Sequence, residues 1–99
     1  MKRLFAVVRS RGPAWDRSLS MEEQQDWRAH ADFMTALAAE GFAVLVGPLE
    51  GTEEVLLIAR ANDAAEVERR LAEDCWARDG QLRTKWIAPW TLRLGSLDC

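Results

Sequence analysis

The sequence has a single histidine, only two cysteines and no excess of basic residues. Each scarcity excludes something. With 13 Lys and Arg against 16 Asp and Glu the formal charge is -3, whereas binding a phosphate backbone needs a clustered basic excess. Arg9 and Arg11 alone make no such stripe, so no nucleic-acid partner is expected. Cys75 and Cys99 lie in unrelated contexts without CxxC spacing, which argues against a disulfide framework and against a zinc site. The lone histidine has no suitably spaced carboxylates or thiols around it in the sequence, and no metal or organic cofactor is expected. No apolar run approaches the roughly 18 residues that span a bilayer. The run at 4–8 is cut by Arg9 and Arg11 before a signal-peptide core forms. A cytoplasmic chain with reduced thiols and no membrane partner is the expectation.

What is present reads as one domain over residues 1–99, with a core at 2–92 and a tail at 93–99. Of the 99 residues, 48% are hydrophobic and 29% charged, a globular balance. A chain of this length buries only about 60–65% of its unfolded surface, so its own core is modest. There is no linker, repeat or low-complexity tract.

Hydrophobic periodicity and breakers order the elements. Residues 2–9 read as a strand ended by Ser10-Arg11-Gly12-Pro13. Ser20-Met21-Glu22-Glu23 has capping-box spacing, so a long helix is predicted from there to Gly41, its stripe including Trp27, Ala31, Met34, Leu37 and Ala38. Strands at 42–46 and 54–60 form a hairpin through Gly47-Pro48 and Gly51. Asp63 and Glu66 open a second helix through Val67 and Leu71 to about Trp76, closed by Gly80. A last strand covers 82–88, limited by Pro89. The order β-α-β-β-α-β predicts a ferredoxin-like α+β domain with an antiparallel sheet. Two helices cover one sheet face only. Yet Leu4, Ala6 and Val8 are as apolar as Phe5 and Val7 on the opposite side. Strands apolar on both sides need both covered, and a second copy of the chain is the simplest cover.

Chemistry can reside in few places. His30 borders the helical stripe, and imidazole titrates near neutral pH, which suits a general acid or base; a core-edge or exposed histidine is the plainer reading. Asp74 lies on the apolar side of the second helix near its C-terminal end, where the macrodipole disfavours negative charge. It is expected to be paired or functional, or else to bond local backbone. Cys75 beside it makes a poor nucleophile, because the neighbouring charge raises a thiol's pKa. Arg9 and Arg11 are read as solvated at the sheet edge, with binding of an anionic group as the alternative. The tryptophans suit a pocket or an interface: Trp27 one turn before His30, Trp15 in a candidate lid loop, Trp86 facing the sheet interior.

Read in order, His30-Ala31-Asp32-Phe33-Met34, Gly41, Gly47-Pro48-Leu49, Asp74-Cys75-Trp76, Gly80 and Ile87-Ala88-Pro89-Trp90 resemble the marks of the YCII-related family. The resemblance spans residues 4–90. It implies a dimeric α+β barrel and a homodimer working on a small molecule in a pocket shared by the two copies. The implied catalytic pair is His30 and Asp74, with Trp27, Trp76, Trp90, Gly47 and Pro48 against the substrate. It also implies cofactor-free lyase or isomerase chemistry. Cys75 departs from the family's proline after the aspartate, which puts the placement of Asp74 in doubt. The alternative is a non-catalytic small-ligand-binding or interaction module. A haem- or quinone-handling monooxygenase rests on fold analogy alone.

Overall fold

The structure, a computed structural model, describes residues 1–96. Cys99 and the end of the predicted tail lie outside the described residues. Strand β1 (Arg3–Arg11) is followed by a 3-10 turn at Met21–Glu23, helix α1 (Trp27–Ala39), strands β2 (Ala43–Pro48) and β3 (Glu54–Ala61), helices α2 (Ala64–Leu71) and α3 (Cys75–Arg78), and strand β4 (Leu82–Trp90). The four strands form one sheet in the order β2-β3-β1-β4, each neighbouring pair antiparallel. This is a small α+β domain.

The alternation of side chains along β1 explains the layering. Phe5 and Val7 point to the side where Leu37 of α1 and Val67 and Leu71 of α2 complete a core with Leu57 and Ala59 of β3. The opposite face carries Ala6, Leu56, Ile58, Trp86, Ala88 and Trp90 around a shallow groove. Leu56, Trp86 and Trp90 are exposed there. Trp86 therefore lies on the open face rather than in the interior, because it pairs with Val8 and shares that residue's side of the sheet.

Two helical expectations need correction. The Ser20 capping box does form, with Ser20 N–H donating to Glu23 Oε1 at 2.9 Å, but it opens only the 3-10 turn. The chain then breaks at Asp26, whose φ is 63°, a left-handed conformation that aspartate tolerates better than most residues. Helix α1 starts afresh at Trp27. Its buried residues are His30 and Leu37, Phe33 and Met34 are half-buried beside them, and Ala38 is exposed. It ends as predicted at Gly41 (φ 86°). Phe42 N–H reaches Leu37 O and Gly41 N–H reaches Ala38 O, the two bonds of a Schellman cap.

The second correction concerns the segment from 63 to 80. Asp63 caps α2 through Glu66 N–H at 2.8 Å, as its spacing predicts, but α2 stops at Leu71. A separate short helix begins after Asp74. Pro89 falls inside β4 rather than ending it, consistent with proline's tolerance at an edge strand. Among the described residues, no helix is long and apolar enough to cross a membrane.

Candidate active site

The break between α2 and α3 turns Asp74 inward. Asp74 is the N-cap of α3, its Oδ1 accepting the Trp76 N–H at 3.1 Å. It therefore lies at the start of a helix, where a carboxylate is favoured, and not at a helix C-terminus. The side chain is fully buried. Two side-chain donors join the Trp76 amide on it: His30 Nδ1 lies 2.9 Å from Oδ1 and 2.8 Å from Oδ2, and Arg9 Nη1 lies 3.1 Å from Oδ2. Burial pushes the carboxyl pKa up, but the hydrogen bond from His30 and the charges of His30 and Arg9 outweigh it and hold the group below the usual carboxylate range. An ionised carboxylate only accepts hydrogen bonds. Nδ1 of His30 must therefore carry a proton, which leaves Nε2 as the lone-pair nitrogen of the neutral ring.

Three tryptophans fix the imidazole. Trp76 lies parallel to it with ring centroids 3.8 Å apart, and Trp27 stands 6.0 Å away on its own helix. Trp76 is in turn held edge-on by Trp15 at 5.3 Å and by its own Nε1–H, which donates to Gln25 O at 2.7 Å. Trp15 is kept in place by its loop. Gln24 is buried and its amide nitrogen donates to the carbonyls of Asp16, Leu19 and Ser20. Gly12 packs so closely on Gly80 that a Cβ would fall 2.2 Å from the Gly80 oxygen. The candidate lid is thus a pinned cap.

His30 lines a cavity of about 360 Å³, with Trp15, Trp27 and Trp76 among its aromatic walls. Gly47 and Pro48, at the end of β2, form part of the rim. Trp90 is elsewhere: it pairs with Leu4 on β1 and so shares the open sheet face with Ala6, away from this cavity.

Arg9 departs most from the sequence reading. Expected at a solvated edge, it is 1% exposed and forms the ion pair behind Asp74. The signal was its parity. Arg9 is in phase with Phe5 and Val7, so it points into the same layer as the core. Burial pulls its pKa down against the opposing pull of Asp74. Cys75 has its thiol pushed up by burial first, then by the charges of Asp74, Asp26 and Asp79, which suits the inert role read from the sequence. Among the described residues, no three His, Cys, Asp or Glu side chains come together where they could hold a metal ion.

No protein-family model matches the chain, and a search of curated proteins finds no match.

Proposed function

We propose that this domain is a small-molecule enzyme of the lyase or isomerase type, moving a proton through His30 with Asp74 as its partner. One observation carries the reading: a single imidazole on a cavity wall, bound through Nδ1 to both oxygens of a fully buried carboxylate. With Nδ1–H committed, Nε2 is the atom that can take a proton from a bound molecule and return it. Asp74 stabilises the imidazolium formed in between, and Arg9 keeps Asp74 ionised. No cofactor is required for such a step.

The proposal extends to family and assembly. We assign the chain to the YCII-related family and read it as a ferredoxin-like domain working as a cytoplasmic homodimer, sheet against sheet, in a dimeric α+β barrel. What supports this is the order of the sequence marks, the strand order β2-β3-β1-β4 with helices on one face, and the apolar open face. The Cys75 departure also weighs less than the sequence suggests. Cys75 occupies the first position of α3, a site where proline is favoured because it opens helices. Either residue leaves Asp74 in place as the cap.

Exchange of substrate protons tests the proposal. Small carbonyl compounds with an acidic C–H are incubated with the protein in D2O and followed by NMR. Deuterium should enter at one carbon with the wild-type protein and not with His30→Gln, whose circular dichroism should match the wild type. Equal exchange by both proteins, or none by either across the panel, would leave the pair a binding or structural element.

A further inference from the structure

The cavity is charged against the sign of the protein. The chain carries a net charge of -3, yet the cavity lining holds Arg9, Arg11 and His30 and no carboxylate. Asp74, the acid behind Arg9 and His30, is already shared between them. Three buried guanidinium nitrogens, Nε and Nη2 of Arg9 and Nε of Arg11, have no acceptor among the described residues. Buried donors in proteins are almost always paired, so unpaired ones beside a cavity mark where an acceptor belongs.

Arg11 differs from Arg9 in being accessible. Its side chain is 24% exposed and lies over the Trp15 ring, 4.5 Å from the centroid. Stacking on that face holds the guanidinium plane against the cavity wall. Its charged partner is Glu53 at 4.0 Å, beyond hydrogen-bond range, and Glu53 is already engaged by Arg17. Apart from Thr35 the rest of the wall is apolar, with Met21 and Met34 beside Trp15, Trp27 and Trp76, whose indoles are set at angles to one another, Trp15 edge-on to Trp76 and Trp27 tilted 41° from it. A volume of about 360 Å³ lies near the lower end of the roughly 300–1,000 Å³ of ligand sites.

We infer that this site takes a small planar organic carboxylate, an aromatic or conjugated acid, with Arg11 receiving the carboxylate and the tryptophans flanking the plane. The inference rests on the acid–base reading and deepens it by naming what His30 acts upon. A guanidinium fork matches a carboxylate with two parallel hydrogen bonds, a geometry a neutral amide cannot reproduce. Arg9, one step along the same face of β1, has its charge balanced by Asp74, which leaves Arg11 as the cation that meets the carboxylate. A tetrahedral dianion is a poorer match, because only one accessible fork faces it.

Tryptophan fluorescence and the indole N–H signals of Trp15, Trp27 and Trp76 report binding directly. The probes are benzoate and trans-cinnamate, their neutral counterparts benzamide and cinnamamide, and phenyl phosphate. Each acid should bind about tenfold more tightly than its amide, the ratio expected for a hydrogen bond to a charged rather than neutral group. Arg11→Met should erase that preference. Glu53→Gln, an exposed change that removes a competing anion, should tighten the acids and leave the amides unaltered. Equal affinity for acid and amide overturns the inference. So does a preference that survives Arg11→Met, tighter binding of phenyl phosphate, or no saturable binding of either acid. Loss of the carboxylate preference with His30-dependent exchange intact defeats this inference alone, whereas the preference without exchange defeats the acid–base reading alone.

Discussion

The imidazole of His30 and the indole of Trp76 are stacked 3.8 Å apart with only 8° between their planes. Trp76 also belongs to α3, the helix capped by Asp74. One short helix therefore supplies both the acceptor for Nδ1 and the surface that fixes the ring's plane. The neutral ring is expected to be the Nδ1–H tautomer. Ring nitrogen shifts, measured by NMR at a pH where His30 is uncharged, should show Nδ1 protonated and Nε2 bare. Asp74→Asn can present either an oxygen or an amide N–H to the ring, so the tautomer should become mixed. A wild-type ring protonated at Nε2 would contradict the proposed direction of proton transfer.

The Arg9–Asp74 pair makes a stability prediction. Both side chains are out of solvent, and removing Arg9 takes the one permanent counter-charge from a buried carboxylate, leaving it only His30 and the Trp76 N–H. Arg9→Met should cost about 3–5 kcal/mol, a large share of the roughly 5–15 kcal/mol of a small domain. The second substitution, in Arg9→Met/Asp74→Leu, should recover part of the loss by removing the stranded charge. Chemical denaturation of the three proteins measures this, and an Arg9→Met variant as stable as the wild type would refute it.

Acid sensitivity follows from the same carboxylate. Its folded pKa is held below the ordinary range, whereas in the unfolded chain it is about 3.9. As pH falls, the unfolded state therefore binds a proton first, and stability drops with pH. The contribution is complete above the unfolded value and is lost as pH falls through the lower, folded one. Urea midpoints in acid should fall more steeply for the wild type than for Asp74→Asn. Parallel curves would mean Asp74 is not held ionised.

The family position after Asp74 can be tested by restoring it. Asp74 has φ -65° and ψ 130°, the extended conformation preferred before proline, and Cys75 is the first residue of α3. Cys75→Pro should fit without strain and stabilise the fold by about 0.4–1 kcal/mol through the unfolded state. Thermal unfolding checks the sign. Destabilisation would show that the Cys75 thiol or amide contributes something the fold needs.

Much of this arrangement was legible in the sequence because local rules governed it. Asp63 capped α2, Gly41 ended α1, and alternation set Phe5 and Val7 on the opposite face from Ala6 and Val8, though it did not decide which face the helices cover. Elsewhere a tertiary contact overrode the local signal. Ser20 has a capping box, but the following helix could not form until Asp26 turned the chain, so the box closes a 3-10 turn. Asp74 reads as a helix end because the apolar spacing from Val67 and Leu71 continues past it; only the packing of Trp76 under His30 reveals a new helix. Arg9 reads as an edge residue unless its parity is given more weight than its charge. The cost of burying it is offset by Asp74, 65 residues away in sequence, a pairing no local pattern contains.

The open sheet face yields the last prediction. Ala6, Leu56, Ile58, Trp86 and Ala88 form a continuous apolar strip, with Trp86 46% exposed at its β4 end. A stable association buries roughly 1,200–2,000 Å² in total, an area that a four-stranded sheet face and its twofold mate can supply. The wild-type protein is then expected to sediment at twice the 11.2 kDa chain mass. Leu56→Lys would bury a charge from each copy in the apolar interface and should give a monomer. That variant keeps the helix-side core intact, so its circular dichroism should match the wild type while its sedimentation does not. A wild-type protein that stays monomeric at high micromolar concentration would show that the strip does not pair with itself. The His30–Asp74 site, built within one chain on the opposite face, would survive that result unchanged.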